Sequence, residues 1–283
     1  MANRLRGLRS ALIAAGVTTA CAGTALAAGI GQPEDWQVGM QQAVTPLARE
    51  MQSFHTQLMW IITAIVLFVL ALLVIVVVKF NERANPTPSK TSHNTAIEIA
   101  WTVVPVLILL LVAIPSFRLL RNQLVIPKAD VTIKTTGHSW YWSYEYPADQ
   151  GGGFTFDANI VEEKDLKPGQ PRLLATDNEV VVPVNKVVRL QTTSADVIHS
   201  WGVPSLGFTM DAVPGRLNEI WFKIEREGVY YGQCRELCGQ RHAYMPITVR
   251  AVSDAEYANW LAEAKQKFAA TTTDGTKLAD ATR

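Results

Sequence analysis

The residues most capable of chemistry lie in one short segment near the end of the chain, from Tyr230 to Met245. This segment contains Cys234, Cys238, His242 and Met245 at spacings of four, four and three residues. Two thiols, an imidazole and a thioether form a soft-ligand set, which selects copper or zinc over magnesium or calcium. We therefore predict a metal centre, and we expect it to move electrons rather than to make or break bonds.

Two other interpretations of the cysteines remain open at this point. Two cysteines of an exported protein usually form a disulfide. A bridge across three intervening residues would constrain little of the chain, and it would leave His242 and Met245 without a role. A zinc site of two cysteines and two histidines is the stronger rival. Zinc has little use for a thioether, whereas copper binds histidine, cysteine and a weak methionine together, so we favour copper.

A fifth candidate ligand, His199, lies upstream in the segment Asp-Val-Ile-His-Ser-Trp. A loop between two strands can present Cys234, Cys238 and His242 around one point, and His199 can reach that point from a neighbouring strand. One histidine, one cysteine and one methionine would give a mononuclear blue-copper site. Two histidines and two cysteines, with Met245 and a backbone carbonyl, suffice for two copper ions bridged by both thiolates.

Residues 1–28 have the pattern of a secretory signal peptide. Three arginines precede an apolar run of small residues, and residues 25–27 fit a small-x-small cleavage site. A membrane span is disfavoured because the run is short and rich in Ala, Gly and Thr; lipidation at Cys21 is a weaker alternative. Removal of the segment lowers Lys+Arg from 26 to 23 against 25 Asp+Glu, so the mature chain is slightly acidic. We predict no nucleic-acid partner.

A polar segment at 29–57 precedes a predicted transmembrane hairpin at 58–120, with spans at 58–78 and 99–120. Met40, Val44, Leu47 and Met51 have helical spacing, which predicts a short helix before the first span. The first span holds 21 apolar residues, enough for a hydrocarbon core of ~30 Å. The second contains two prolines, which membrane helices tolerate when neighbouring helices satisfy the freed carbonyls, so we expect a larger membrane partner.

The signal peptide places the N-terminus and the C-terminal part outside the membrane, and the basic loop between the spans fits this orientation. Seven short alternating or β-branched runs, separated by turn signals, then fill residues 129–252, which predicts an all-β sandwich or barrel. The runs are 131–135, 140–146, 180–184, 187–193, 218–224, 228–232 and 246–252. Residues 253–283 begin with a capping-box pattern, Ser253 to Glu256, followed by apolar residues at helical spacing. We expect a C-terminal helix there, followed by a disordered tail from residue 270.

Three motifs carry a resemblance to a known family: residues 137–146, GHSWYWSYEY; residues 199–207, HSWGVPSLG; and residues 230–239, YYGQCRELCG. With the two spans, they make the chain similar to subunit 2 of cytochrome c oxidase of the bacterial aa3 type, over about residues 50–252. The resemblance implies a two-helix transmembrane hairpin, an all-β cupredoxin-like Greek-key barrel and a short C-terminal helix. It places the barrel in the periplasm of a bacterial inner membrane.

The resemblance also implies a dinuclear copper centre, known as CuA, and a magnesium ion shared with subunit 1. The side-chain and carbonyl ligands of copper that it implies are His199, Cys234, Glu236 (through its backbone carbonyl), Cys238, His242 and Met245. The carboxylate of Glu236 would face the magnesium, which prefers oxygen ligands. A merely solvated carboxylate is the simpler interpretation of Glu236.

Strand alternation puts Trp140, Trp142, Tyr144 and Tyr146 on one face, which for most of these rings indicates a barrel core. The resemblance implies that Trp140 is the point where electrons enter. It also implies that Glu145, Asp177 and Asp196 attract cytochrome c, although any one of them could be an ordinary solvated acid. Residues 137–199 hold nine acids against five Lys and Arg, and such an acidic patch would make turnover sensitive to salt.

Glu98 stands at the inner end of the second span. An acid there is often only an interfacial residue, but an ionisable group at a membrane helix end is also a candidate for a proton path. The resemblance makes Glu98 the entrance of the proton route called the K pathway.

Two classes of function follow. In the first, the chain is an oxidase subunit that takes electrons from cytochrome c at Trp140 and passes them through copper to the haem of subunit 1. The expected partners are then subunit 1, with haem a and the haem a3–CuB site, and subunit 3. In the second, the chain is a membrane-anchored copper-binding or copper-delivery protein. A quinol-oxidase subunit of the same fold should lack the two cysteines that this chain contains.

Overall fold

The computed structural model describes the backbone of residues 31–280 and the side chains of residues 31–268. The predicted signal peptide, with Cys21, and residues 281–283 lie outside the described residues. Within the described range the chain forms a helical hairpin, two five-stranded sheets and a C-terminal helix, in that order.

The hairpin consists of helix α1, Pro46–Lys79, and helix α2, Thr95–Leu124. Thr45 begins α1 because its side-chain oxygen accepts the N–H of Ala48 at 3.0 Å, and Asn94 caps α2 in the same way. Both helices are long and apolar enough to cross a membrane, and their most apolar stretches are not buried within the described chain. We therefore expect their apolar surfaces to be covered by lipid or by another membrane protein.

The first helix begins at Pro46 rather than at Leu58, so the short separate helix expected before the span does not form. Leu47 already lies inside α1, whereas Val44 precedes the helix in irregular backbone. The physical reason is local: a threonine cap followed by proline is a strong helix start, and no breaker follows it before the apolar run.

Ten strands form the two sheets. They are β1 Val131–His138, β2 Tyr141–Tyr146, β3 Phe154–Ala158, β4 Val180–Pro183, β5 Val188–Ser194, β6 His199–Val203, β7 Phe208–Ala212, β8 Asn218–Phe222, β9 Gly228–Cys234 and β10 Pro246–Val252. One sheet has the order β3-β2-β1-β5-β8 and the other β4-β10-β9-β6-β7. Most neighbours are antiparallel, but β1 pairs with β5 and β10 with β4 in parallel. The predicted all-β domain is confirmed as a two-sheet sandwich.

The core lies between the two sheets and is rich in aromatic rings. Trp142, Tyr144 and Tyr146 of β2 are buried, which confirms the alternation predicted for this strand. Trp201 from the other sheet stacks on Phe222 and donates its indole N–H to the Tyr144 hydroxyl at 3.1 Å. Buried polar atoms thus find partners across the core, as a stable interior requires.

Three strands were not predicted: β3, β6 and β7. Strand β6, the segment that carries His199, is buried at every position and contains a glycine, so it shows no alternation. Strand β7 mixes Thr, Met and Asp with only two buried positions, and β3 follows three consecutive glycines. Tertiary pairing rather than local sequence pattern makes these segments strands.

The C-terminal helix α3, Asp254–Asp280, packs on the β3 edge. Trp260 lies against Tyr146, and Phe268 stacks on Phe156 with ring centroids 4.8 Å apart. The apolar residues predicted at helical spacing therefore form the packed face of this helix. The backbone is helical to Asp280, beyond the short helix that was expected; a disordered tail stays a prediction.

Both helices of the hairpin are tied to the sandwich by polar contacts. Arg49 of α1 forms a two-pronged ion pair with Glu225, just beyond β8. The indole N–H of Trp221, in β8, donates to the carbonyl oxygen of Asn122, near the end of α2, at 2.9 Å. The Asn122 side chain in turn donates to Glu50 of α1 at 2.9 Å. These contacts hold the sandwich against the end of the hairpin at which α1 begins and α2 ends.

Candidate metal centre

The predicted donor residues meet at one end of the sandwich because adjacent elements deliver them there. His199 is the first residue of β6 and Cys234 is the last residue of β9, and these two strands pair antiparallel. Cys238 follows in the connection after β9. His242 opens a single 3-10 turn, and Met245 comes directly before β10.

The first group of donors, called here the strand half, consists of His199, Cys234 and the carbonyl oxygen of Glu236. Cys234 Sγ lies 3.9 Å from His199 Nδ1 and 3.3 Å from the Glu236 oxygen. Cys234 Sγ is also 3.8 Å from Cys238 Sγ, in the neighbouring group. The ligand atoms of His199, Cys234 and Cys238 all lie within 4.8 Å of one another.

The second group, the loop half, consists of Cys238, His242 and Met245. Cys238 Sγ lies 3.5 Å from His242 Nδ1 and 3.4 Å from Met245 Sδ. Each sulfur of the cysteine pair therefore has an imidazole nitrogen of its own and one further weak donor. All six predicted donors converge, although the sequence spacing alone could not show the pairing of each thiol with its histidine.

The donor set fits copper. Cys234 and Cys238 are buried and free, and their sulfur separation of 3.8 Å excludes a disulfide, whose bond is about 2.05 Å long. A four-coordinate zinc ion would use the two thiolates and two imidazoles but leave the thioether and the carbonyl without a role. Met245 is 1% exposed and its sulfur is directed at Cys238, so the thioether belongs to the cluster.

The two thiols differ in acidity in the metal-free protein. Burial disfavours the Cys234 thiolate, but hydrogen bonds from His199 and from backbone N–H groups outweigh it and lower the pKa of Cys234. Burial and the nearby negative charge of Cys234 raise the pKa of Cys238 to about 12. The first proton therefore leaves Cys234, and a metal must displace the second from Cys238.

His199 is enclosed on every side. Its side chain is fully buried, its ring meets Trp142 edge-on at 5.9 Å, and Nε2 lies 2.8 Å from Oδ1 of Asp196. Burial lowers the pKa of His199, but hydrogen bonds to Cys234 and Asp196 outweigh it and raise the pKa. Burial also opposes the Asp196 charge, but hydrogen bonds with His199 and Ser139 hold its pKa well below the usual value. Since a carboxylate only accepts, Nε2 carries a proton and Nδ1 faces the sulfur.

Trp140 lies outside β2 and contacts the metal loop directly. Its indole N–H donates to the carbonyl oxygen of Cys238 at 3.1 Å. The ring rests on Gly239, where an added Cβ would come within 3.2 Å of it and where φ is +116°. Trp140 therefore does not continue the buried face of Trp142, as strand alternation had suggested, but covers the loop half at the surface.

The three acids expected to attract a partner all have local contacts. Glu145 pairs with Lys134 at 3.1 Å, and Asp177 accepts the N–H groups of Asn159 and Asn178. Asp196 binds His199. Their role in docking stays a prediction, and for Asp196 the contact to a candidate ligand is a finding that the sequence did not suggest.

A group of exposed apolar side chains, which we call the apolar rim, was also missed. They are neighbours of the donors in the chain: Val197 and Ile198 precede His199, Leu237 precedes Cys238, and Tyr244 precedes Met245. Their exposed fractions range from 43% for Tyr244 to 78% for Leu237. Exposed apolar residues directly beside buried donors are candidates for a contact surface. Their position next to predicted ligands in the sequence could have indicated that these apolar residues are exposed beside the metal site.

Glu98 and the metal cluster are not brought together. Glu98 lies in the first turn of α2, whereas the sandwich meets the far end of that helix at Asn122. The 24 residues between them correspond to ~36 Å of helix, about the thickness of a membrane. A proton-path role for Glu98 therefore stays a prediction that is separate from the metal site.

A membrane-type hairpin that carries a two-sheet β-domain with a cysteine, histidine and methionine cluster defines a membrane-anchored, cupredoxin-like protein. The family model "cytochrome c oxidase subunit II, periplasmic domain" matches residues 131–252, and the corresponding transmembrane-domain model matches residues 33–119. The chain belongs to the cytochrome c oxidase subunit II family and is anchored in a membrane.

Relatives support this assignment across most of the chain. A probable cytochrome c oxidase subunit 2 of Rickettsia bellii is 52% identical over 84% of this chain and 88% of its own length. The cytochrome c oxidase subunit 2 of Cereibacter sphaeroides is 46% identical over 83% of both chains. Among solved structures, the periplasmic domain of subunit II of cytochrome oxidase of Bradyrhizobium japonicum is 56% identical, with a TM-score of 0.48, over 51% of this chain and 99% of that chain.

Proposed function

We propose that this chain accepts electrons from cytochrome c and passes them through a dinuclear copper centre to the haem of subunit 1 in a respiratory haem-copper oxidase. Oxygen is reduced to water, with proton pumping, in subunit 1. The enzyme activity thus belongs to the complex, a cytochrome c oxidase, and this chain contributes electron transfer. The observation that carries the proposal is the convergence of two thiols, two imidazoles and a thioether at the exposed end of the sandwich.

Two copper ions are supported over one because the donors divide into two matched groups. Each thiol has its own imidazole, and the two sulfurs are close enough to be shared by both ions. When bound, the copper pair supplies a one-electron carrier that is reduced and reoxidised with little change in its bonds. The protein's part is to hold the donors in place and to exclude water, and the burial of His199, both cysteines and Met245 supports this.

Electrons enter at Trp140 in this proposal. Its indole is half-buried, so one edge is available to a docked partner while the N–H bonds to the carbonyl of a candidate ligand residue, Cys238. The exposed side chains of the apolar rim, which neighbour the donors in the chain, supply apolar contact area for the same partner. Glu145, Asp177 and Asp196 supply negative charge that attracts the basic face of cytochrome c and raises the rate of encounter.

In this proposal, electrons pass from the copper centre to subunit 1, and Glu236 lies at the interface between the two subunits. The backbone of Glu236 serves the strand half, and its side chain is exposed. Among the described residues, none forms a hydrogen bond or ion pair with this carboxylate. It is therefore free to share a magnesium ion with subunit 1, which holds haem a and the haem a3–CuB site. Subunit 3 is a further expected partner.

The chain would cross a bacterial inner membrane twice, with the copper domain in the periplasm. The hairpin supports two crossings, and the predicted signal peptide supports the direction. Glu98, at the opposite end of α2 from the sandwich, then faces the cytoplasmic side, where a proton path would begin. Family membership disfavours the alternative of a separate copper-delivery protein.

The proposal is tested on the oxidase purified from membranes with this chain in place. Metal analysis should give two coppers for this chain beyond the copper of subunit 1, and the EPR spectrum should show the seven-line hyperfine pattern of an electron shared by two copper nuclei. Replacing Cys238 with Ser should abolish that pattern while the haem spectrum persists. A four-line mononuclear signal, or zinc in place of copper, would overturn the proposal.

A further inference from the structure

The corner between β1 and β2, residues 137–140, is built around His199. Gly137 has no side chain where the His199 ring lies, and a Cβ added there would come within 2.8 Å of the ring. At the other end of the corner, Trp140 bonds to the Cys238 carbonyl. The segment that holds the proposed electron acceptor is therefore shaped by contact with a candidate copper ligand.

A single carboxylate joins the corner to that ligand. Oδ1 of Asp196 lies 2.8 Å from Nε2 of His199, and Oδ2 accepts the backbone N–H of Ser139 at 2.7 Å. Oδ1 also accepts the N–H of Val197 at 2.6 Å, and Asp196 N–H donates to the Ser194 hydroxyl at 3.2 Å. Each oxygen is thus committed, one to the histidine and the other to the residue before Trp140.

We propose that Asp196 is a positioning residue, which fixes the ring of His199 and the indole of Trp140 in one geometry so that electrons pass efficiently between them. This inference rests on the proposed electron-transfer function. It assigns Asp196 a task distinct from attracting cytochrome c, since the geometry of a short carboxylate, and not only its charge, satisfies both donors. Mutation of a carboxylate that orients a ligand histidine typically lowers metal affinity or activity by about 10–100-fold.

The two roles predict different results for two substitutions in the purified oxidase complex. Asp196→Glu keeps the negative charge but moves the carboxylate by one methylene. Asp196→Asn keeps the size but replaces one acceptor by an N–H₂ donor, which faces the donors of His199 or Ser139. Glu145→Gln is the matched reference, because among the described residues the Glu145 carboxylate pairs with Lys134 and not with a donor of the metal cluster, and it is exposed in part.

Electron transfer from photoreduced, ruthenium-labelled cytochrome c is measured inside the preformed complex at low salt, together with KM over a range of salt concentrations. For Asp196→Glu we expect the first-order rate within the complex to fall about tenfold, with KM and its salt dependence near wild type. The EPR hyperfine splitting and the near-infrared absorption should also shift. Glu145→Gln should raise KM at low salt and leave the rate within the complex unchanged.

The positioning role would be overturned if Asp196→Glu matched wild type and Asp196→Asn behaved as Glu145→Gln does. If Asp196→Asn assembles no copper, Asp196→Glu decides alone, from its EPR spectrum and rate. Failure of the proposed function is distinguishable, because it would appear in the wild-type complex as a missing seven-line spectrum or as no reduction by cytochrome c.

Discussion

The two halves of the metal cluster carry the same kinds of ligand but are built differently. In the strand half, His199 is fully buried on β6, is held by Asp196 and faces Cys234 at the end of β9. In the loop half, Cys238 and His242 lie in the connection between β9 and β10, where His242 opens a 3-10 turn and stays half-exposed. The strand half is therefore part of the sheet, whereas the loop half belongs to the connection between β9 and β10.

This difference indicates that the fold pre-organises the strand half before any metal binds. Without metal, the pairing of β6 with β9 and the contact with Asp196 hold the strand half. The backbone of the loop half bonds partly within its own turn, as from the N–H of His242 to the Gly239 carbonyl at 3.2 Å, and is otherwise held by the bonds that the Cys238 and Met245 carbonyls accept from Trp140 and Cys234. We infer that metal binding completes the loop half. Segments whose backbone hydrogen bonds are local and partly exposed unfold locally more easily than strands inside a sheet.

The largest effect should come from removing either of the two sulfurs that are proposed to bridge the copper ions, since both halves depend on them. Cys234→Ser and Cys238→Ser should each abolish the seven-line EPR signal and lower cytochrome c oxidation at least 100-fold, because a hydroxyl is a poor substitute for a thiolate on copper. Steady-state turnover and EPR of the purified complex measure this. A variant that kept a dinuclear signal would show that its sulfur is not a bridge.

The two histidines should differ in the copper-free chain. His199→Ala leaves a buried cavity and an Asp196 carboxylate without its partner, so it should destabilise the sandwich by about 2–3 kcal/mol. His242→Ala removes a half-exposed side chain and should cost no more than about 0.5 kcal/mol. Tryptophan fluorescence during denaturant unfolding of the full chain in detergent compares them. Equal costs would break the distinction between the halves.

Copper removal should loosen one half only. When a chelator strips the metal from the complex, amide hydrogen exchange should accelerate at residues 237–245 by about tenfold or more and remain slow in β6 and β9. Mass spectrometry of peptic fragments resolves the two regions. Equal acceleration in β6 would mean that the metal also organises the strand half.

A milder change tests the weak donor of the loop half. Met245→Leu keeps the buried volume and removes the thioether, so both coppers should remain while the midpoint potential and the EPR hyperfine splitting change. Redox titration of the complex measures the shift. Loss of copper would show that the thioether is needed for assembly, and an unaltered potential would place Met245 outside the site.

The smallest effect lies at an ion pair that contacts neither half and serves as a control. Hydrogen bonding from Arg49 lowers the pKa of Glu225 below its usual value of 4.5. The pair therefore stabilises the fold above that pH, and the contribution is lost as the pH falls through the lowered pKa. Since both side chains are partly exposed, the loss should be below about 1 kcal/mol. Thermal unfolding of the complex near pH 4 measures it, and Arg49→Gln should abolish this part of the pH dependence without altering the copper spectrum.

Much of the fold followed from local signals. The spans were predicted from uninterrupted apolar runs, and seven strands from β-branched runs between turns. Strand β6 was missed because burial on both faces removes alternation. The start of α1 was missed because the apolar run, and not the Thr45-Pro46 cap, was used to place it.

For the site, ligand types and spacing predicted a soft-metal cluster of His199, Cys234, Cys238, His242 and Met245, whereas the Glu236 carbonyl was implied only by the family resemblance. The contacts that depend on chain crossings could not be predicted. Asp196 was interpreted as a surface acid because nothing in the sequence says that β6 begins beside the β1–β2 corner. Trp140 was placed on the core face because the strand was expected to start one residue earlier than it does.

The contacts of Arg49 with Glu225 and of Trp221 with Asn122 attach the sandwich to both helices of the hairpin. A domain attached to both helices is not carried on a single flexible stalk, which favours a fixed height above the bilayer. The tunnelling distance to a haem embedded in the neighbouring subunit would then be the same in every catalytic cycle. Turnover should accordingly be indifferent to solvent viscosity once cytochrome c has docked, in contrast to carriers that swing between donor and acceptor.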